Sequence, residues 1–128
     1  MAKQFLNPSA LGKVDAPFSD GVRAGNTLWV SAQTAHDAQG RIVGGNDAEA
    51  QCRAIFARIA EVLAAGGARP SDVVMVRGFL KDRSSLQATW KVRKEFFGDH
   101  KPASTSLMVS DVEPEGALMS FEVMAMLD

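Results

Sequence analysis

Apolar residues recur at helical spacing from about Asp47 to Ala65, where Cys52, Ile55, Phe56, Ile59, Val62 and Leu63 fall on one stripe. Asn46 stands where an N-cap belongs, with Glu49 three residues on in the geometry of a capping box. Gly66-Gly67 supplies the C-terminal stop. A second helix is predicted over about Ser85 to Phe97, capped by Ser84 or Ser85 and ended by Gly98. Its apolar residues are Leu86, Trp90, Phe96 and Phe97, and Lys91, Arg93, Lys94 and Glu95 are assigned mostly to solvent.

The strand signals have a period of two or are β-branched runs. Ala24-Gly25-Asn26 is a turn signal ahead of a strand over Thr27 to Gln33, and His36 to Gly40 is a second turn leading to a short return strand, Arg41-Ile42-Val43. Val73 to Leu80 reads as a buried strand. Val74, Val76, Gly78 and Leu80 are expected on one face, with Val73, Met75, Arg77 and Phe79 on the other. Two further strands are predicted over Thr105 to Ser110 and Ala117 to Met126, joined by a loop over residues 111–116. In the last one Met119, Phe121, Val123 and Ala125 face one way, and Leu118, Ser120, Glu122, Met124 and Met126 the other.

The resulting order, β-β-β-α-β-α-β-β, predicts an α+β domain whose two helices cover one face of a mixed sheet. The other face mixes Met and Leu with Ser and Glu. It is too apolar for a solvent surface and too polar for a core, which suits an oligomer interface containing a polar pocket.

A chain of 128 residues has room for one compact core and is read as one domain, residues 1–128. The formal net charge is −1 with no basic block, which argues against nucleic acid or an anionic membrane surface as partner. Apolar runs such as Ala60 to Gly67 are far too short to span a bilayer. The stretch Met1 to Pro8 lacks the apolar segment of a signal peptide. The single cysteine, Cys52, lies on the apolar stripe and is read as an inert core thiol. It leaves no internal disulfide and fits a reducing compartment, the cytoplasm. His36 and His100 are far apart and form no zinc pattern, and neither G-x-G-x-x-G nor a P-loop is present. No cofactor and no metal are expected.

Five short stretches carry a further signal: Ala16-Pro17-Phe18-Ser19, Ala24 through Gln33, Val73-Val74 with Phe79-Leu80, Phe96 through Ser106, and Phe121 through Ala125. In that order they resemble the RidA/YjgF family of reactive-intermediate deaminases, with patterns G-P-Y-S, A-G-N-x-[LIV]-[FY]-[VI]-S-G-Q and G-[DE]-H-x-P-A-R-[ST]. The resemblance covers nearly the whole chain. It implies the chorismate-mutase-like Rid fold and a homotrimer with a central barrel and three pockets at subunit interfaces. It also implies cofactor-free hydrolysis of enamines or imines to a ketone and ammonia. Such a site holds the substrate, stabilises an iminium and positions a water.

The departures from the pattern fall in that implied pocket. The family's carboxylate-binding Arg falls at Ser104, which cannot form a charged bidentate fork. Losing such a pair weakens binding by about 2–5 kcal/mol if nothing replaces it. The pocket Tyr falls at Phe18, the Ser-Gly before Gln33 at Ser31-Ala32, and the Cys or Thr after the Arg at Ser106. Trp90 lies at a pocket-lining position and is read as core or interface ahead of a substrate platform. The water-activating Glu falls at Ser120, while the next Glu of the pattern survives as Glu122. The candidate catalytic residues are therefore Glu122 and Ser120. The candidate substrate-binding residues are Phe18, Ser31, Ala32, Arg77, Trp90, Ser104 and Ser106. Two readings of Arg77 stand side by side, a relocated carboxylate anchor and an ion pair with Glu122 or with an acidic loop residue. Glu122 is correspondingly a general acid/base or a structural partner. For His100, after the helix end, a loop contact outweighs catalysis. The leading functional reading is a divergent hydrolase of an imine, an enamine or a related C–N bond with a non-standard substrate. The alternative is a non-catalytic trimer that binds a small metabolite in the same pocket.

Overall fold

The computed structural model describes residues 2–13 and 15–128, so the N-terminal reading above touches one residue, Met1, outside the description. Its elements are β1 (Lys3–Leu6), β2 (Gly21–Ala24), β3 (Thr27–Gln33), α1 (Ala48–Ala65), β4 (Val73–Leu80), α2 (Leu86–Phe97), β5 (Ala103–Met108) and β6 (Met119–Met126). The strands form one six-stranded sheet in the order β1-β2-β3-β6-β4-β5. Every neighbouring pair is antiparallel except β4 with β5, whose parallel pairing needs the crossover that α2 supplies. Both helices contribute to the same core over one sheet face, which is the expected α+β arrangement with a mixed sheet.

Element order agrees with the sequence reading and β3 has the expected bounds, but the expected return strand after it does not form, and β1 and β2 precede β3 instead. Arg41-Ile42-Val43 makes only an isolated bridge, Ile42 to His36, and β3 instead forms its hairpin with β2 through Gly25-Asn26. The reason is local. The Asp37 carboxylate accepts from the amides of Gln39 and Arg41, both at 2.9 Å, and closes a turn where the return strand would begin. The α1 cap is Asp47, which accepts from the Ala50 amide at 3.1 Å, so Asn46 lies one residue too early. Asp82, rather than Ser84 or Ser85, caps the turn leading into α2. A register shift against β6 between Val73 and Met75 turns Val73 into the core and Val74 to solvent, against expectation for those two residues, while Val76, Gly78 and Leu80 share the buried face as expected. Strand β5 starts at Ala103, which brings Ser104 into the sheet, and β6 starts at Met119.

The core is organised around Phe56 of α1. Its ring lies 5.0 Å from that of Phe96, 6.0 Å from Phe97 and 5.2 Å from Phe121. Met119, Phe121, Val123 and Ala125 are buried as the alternation of β6 predicts. The Phe121 ring fits because its neighbour on β4 is Gly78: a Cβ there would stand 2.5 Å from Phe121 Cε1. The buried Gln51 amide ties the loop before β6 to the start of α1. It donates to the carbonyls of Gly45 and Gly116 at 2.7 and 2.9 Å and accepts from the Leu118 amide at 2.9 Å. Among the described residues no helix is long and apolar enough to cross a membrane.

Candidate functional site

The stretch from Gly98 to Ser106 leaves α2, turns and enters β5 at the sheet edge. The turn is pinned by His100, whose Nε2 donates to the Val73 carbonyl at 2.6 Å while its ring packs 5.9 Å from Phe97. His100 thus makes a loop contact. In the parallel register Ser104 lies beside Val76 and Ser106 beside Gly78, so both serines belong to the helix-side face. The sheet ends at β5 and α2 covers the edge only in part. The result is a cleft of about 880 Å³ between them, with Leu86, Trp90, Phe97 and Pro102 as apolar wall and Arg93, Ser104 and Ser106 as polar groups, beside Lys94, Asp99, His100 and Lys101. Trp90 is half exposed at its rim and not core.

Arg93 is the residue that the sequence reading missed. Its Nη2 donates to Ser104 Oγ at 2.6 Å, and its guanidinium carbon lies 5.9 Å from the centre of the Phe121 ring. Burial holds its pKa below the ordinary arginine value. Its neighbours Lys91 and Glu95 are paired with Glu49 and Arg53 across the helices, at 2.8 and 3.0 Å. Among the described residues no carboxylate pairs with Arg93. The signal was present: Leu86, Trp90, Arg93 and Phe97 are spaced four, three and four apart, one face of a helix. Counting Arg93 with the surrounding charges hid that register.

The other expected residues lie elsewhere. Arg77 and Glu122 are register partners on β4 and β6, and the Arg77 Nη1 donates to Glu122 Oε1. They occupy the face opposite Ser104, so Arg77 is not its replacement within one chain. Ser120 shares that opposite face and is buried beside Phe79. Phe18, 61% exposed, and Ala32 line a second concavity of about 780 Å³. Ser31 is turned to its own loop, donating to the Ser19 carbonyl at 2.7 Å.

That second concavity has a polar floor, also unforeseen. Arg58 Nε donates to Gln33 Oε1 at 3.0 Å and Arg58 Nη1 to the His36 carbonyl at 3.1 Å. Gln33 Nε2 reaches Asp20 Oδ1 at 3.4 Å, and Asp20 Oδ2 is buried without a hydrogen-bond partner. Burial, and then the Arg58 charge, keep the His36 pKa below its usual value. One chain therefore carries three separate clusters: the α2–β5 cleft, the Phe18–Ala32 concavity and the Arg77–Glu122 face.

Comparison with known proteins agrees with this fold. The family model described as endoribonuclease L-PSP matches residues 9–127. A RutC family protein of Pyrococcus abyssi is 32% identical over 126 residues, covering 98% of each chain. Another from Sulfurisphaera tokodaii is 35% identical over 107 residues, covering 84% of this chain and 85% of its own. Among solved structures, a conserved Rid family protein of Yersinia pestis superposes with a TM-score of 0.91 at 25% identity, covering 98% of this chain and 100% of that one. The fold, the ordered motifs and these relatives lead to one assignment: the chain belongs to the endoribonuclease L-PSP family, the RidA/YjgF family that its sequence resembles.

Proposed function

We propose that this protein is a divergent Rid-type hydrolase that converts an imine, or its enamine tautomer, to a ketone and ammonia in a site completed by further copies of the chain. The observation that carries the reading is the α2–β5 cleft. There two serine hydroxyls of the stretch from Gly98 to Ser106 and the partly buried Arg93 guanidinium of α2 stand against an apolar wall. The reaction adds water across C=N and expels ammonia from the resulting carbinolamine. It is electron-neutral and needs no cofactor, only a held substrate, a stabilised iminium and a placed water.

The separation of the three clusters supports assembly, because no one cleft holds both an anchoring group and Glu122. The sheet face away from the helices exposes Trp29 by 44% and Met126 by 46%, an apolar surface suited to contact between copies. A homotrimer built on that face is the arrangement we propose, with Glu122 as the group that activates water once copies meet. RNA cleavage, the activity in the family's description, is less well supported, since a net charge of −1 gives little general attraction for a phosphate backbone.

The alternative, a metabolite-binding trimer without turnover, draws on one observation: the Glu122 carboxylate is already engaged by Arg77. Imines generated in situ by an amino-acid oxidase separate the two readings. Ammonia release faster than in buffer alone, and lost in Glu122→Gln, supports the hydrolase. Ligands that raise the melting temperature but release no ammonia from any acidic, neutral or cyclic imine would sink it.

A further inference from the structure

The geometry points to Arg93, reaching from α2 to Ser104, as the anion anchor of the α2–β5 cleft, selecting ligands that join a carboxylate to a bulky apolar or aromatic body. The chemistry of the reacting group rests on the hydrolase reading above, whereas the anion site stands on the cleft itself.

Three observations converge. First, a guanidinium has five N–H donors, and the hydrogen bonds of Arg93 engage one acceptor, Ser104 Oγ. Arg93 lines the cleft, and among the described residues no carboxylate pairs with it, whereas Lys91 and Glu95 of the same helix are matched. A partly buried charge without a counter-charge is unfavourable, and an incoming anion relieves that. Second, Ser104 accepts from Arg93, so its own hydroxyl proton is free to donate. Arg93 and Ser104 thus present neighbouring donors to one oxyanion, a charge-assisted arrangement that neither residue makes alone. The Phe121 ring below the guanidinium limits where it can move.

Third, beside the charged rim of Lys94, Asp99 and Lys101, the cleft carries a broad apolar wall. Leu86, Trp90, Phe97 and Pro102 line a volume in the upper part of the range for small-molecule sites, roughly 300–1,000 Å³. The exposed Trp90 ring offers a flat apolar surface on the same helix face as Arg93. A carboxylate on Arg93 therefore directs an apolar substituent along α2 towards Trp90 and Leu86. Among imino acids, this favours those with aromatic or branched side chains over the alanine-derived one.

Calorimetry with benzoate and 3-phenylpropionate, with acetate as the small control, tests the anion site in the full-length protein. The aromatic acids should bind at least about tenfold more tightly than acetate, and Arg93→Gln should weaken them about 100-fold. Arg93→Lys keeps charge without the fork and should fall between. Ser104→Asp leaves Arg93 in place and fills its site with an internal carboxylate, so it should abolish binding in a folded protein. With imines made in situ, kcat/KM should be higher for the phenylalanine-derived than the alanine-derived imino acid. Arg93→Gln should lower kcat/KM for both acids while a neutral cyclic imine changes less than about twofold. Absence of acid binding to the wild type, binding unchanged in Arg93→Gln, or equal losses on acidic and neutral imines overturns the assignment. If no imine is turned over but acid binding depends on Arg93, the hydrolase reading fails and the anion site stands.

Discussion

Replacing Gly78 by alanine tests how the core positions the cleft. The added Cβ would lie 2.5 Å from Phe121 Cε1, with the next two ring atoms at 3.0 and 3.1 Å. Such distances are well inside van der Waals contact, so the ring must move. It has little room, because Phe56 packs 5.2 Å away on one side and Arg93 lies over its face at 5.9 Å. Overpacking of this kind destabilises by about 1–3 kcal/mol. With a urea slope of about 1–3 kcal/mol per molar for a chain of this size, the midpoint should fall by roughly 1 M. The measurement is equilibrium unfolding at one fixed chain concentration, because association contributes to apparent stability. The cause can be isolated with a second substitution. Phe121→Leu removes the opposing ring edge, and Gly78→Ala in that background should lose less than its single-mutant value by at least about 1 kcal/mol. A midpoint shift below about 0.2 M for Gly78→Ala, or strict additivity in the cycle, would refute the reasoning.

Gln51→Leu should lower stability by about 1–3 kcal/mol, because it strips partners from the Gly45 and Gly116 carbonyls and the Leu118 amide, and thermal unfolding reads this directly. Asp47→Ala should destabilise by about 1 kcal/mol while Asn46→Ala changes little, and the reverse order would return the cap to Asn46. Burial pushes the Cys52 thiol up to about 12, so in the native protein it stays protonated through the neutral range. A disulfide reagent at pH 8 should therefore label Cys52 only after denaturation, and prompt native labelling would contradict the burial argument.

The sequence made the helices and the central strands legible because their signals are local and repeated. The stripe from Cys52 to Leu63 and the alternation of Met119 to Ala125 specify which side faces the core whatever packs there. Single-residue devices were not legible. The bulge that turns Val73 inward depends on register against β6, and the Asp37 turn that removes the expected Arg41 to Val43 strand depends on side-chain hydrogen bonds. The site was legible by position and not by connection. Ser104, Ser106 and Trp90 do meet in one cleft, but Phe18 and Ala32 stand elsewhere, and Arg77 answers to Glu122. Which strand carries which residue follows from motifs. Which residues face one another across the sheet edge follows from the helix phase, and there Arg93 was grouped with the charges beside it.

The serine at position 104, where the sequence resemblance leads one to expect an arginine, is therefore coupled to the arginine at position 93. Ser104 Oγ is already within 2.6 Å of the Arg93 guanidinium, so an arginine placed at 104 would start beside a like charge. Two unit charges about 4 Å apart repel by on the order of 4 kcal/mol at an effective dielectric near 20. Introducing the expected arginine by Ser104→Arg alone should then destabilise the chain or drive one guanidinium to solvent, without creating a well-formed anion site. Combining Ser104→Arg with Arg93→Gln removes the repulsion and should move the anchor from the helix to the strand. The ligand's apolar body would then no longer be directed along α2. The double variant should bind acetate and benzoate with similar affinity, whereas a retained preference for the aromatic acid would mean that the apolar wall, and not the position of the guanidinium, sets the selectivity.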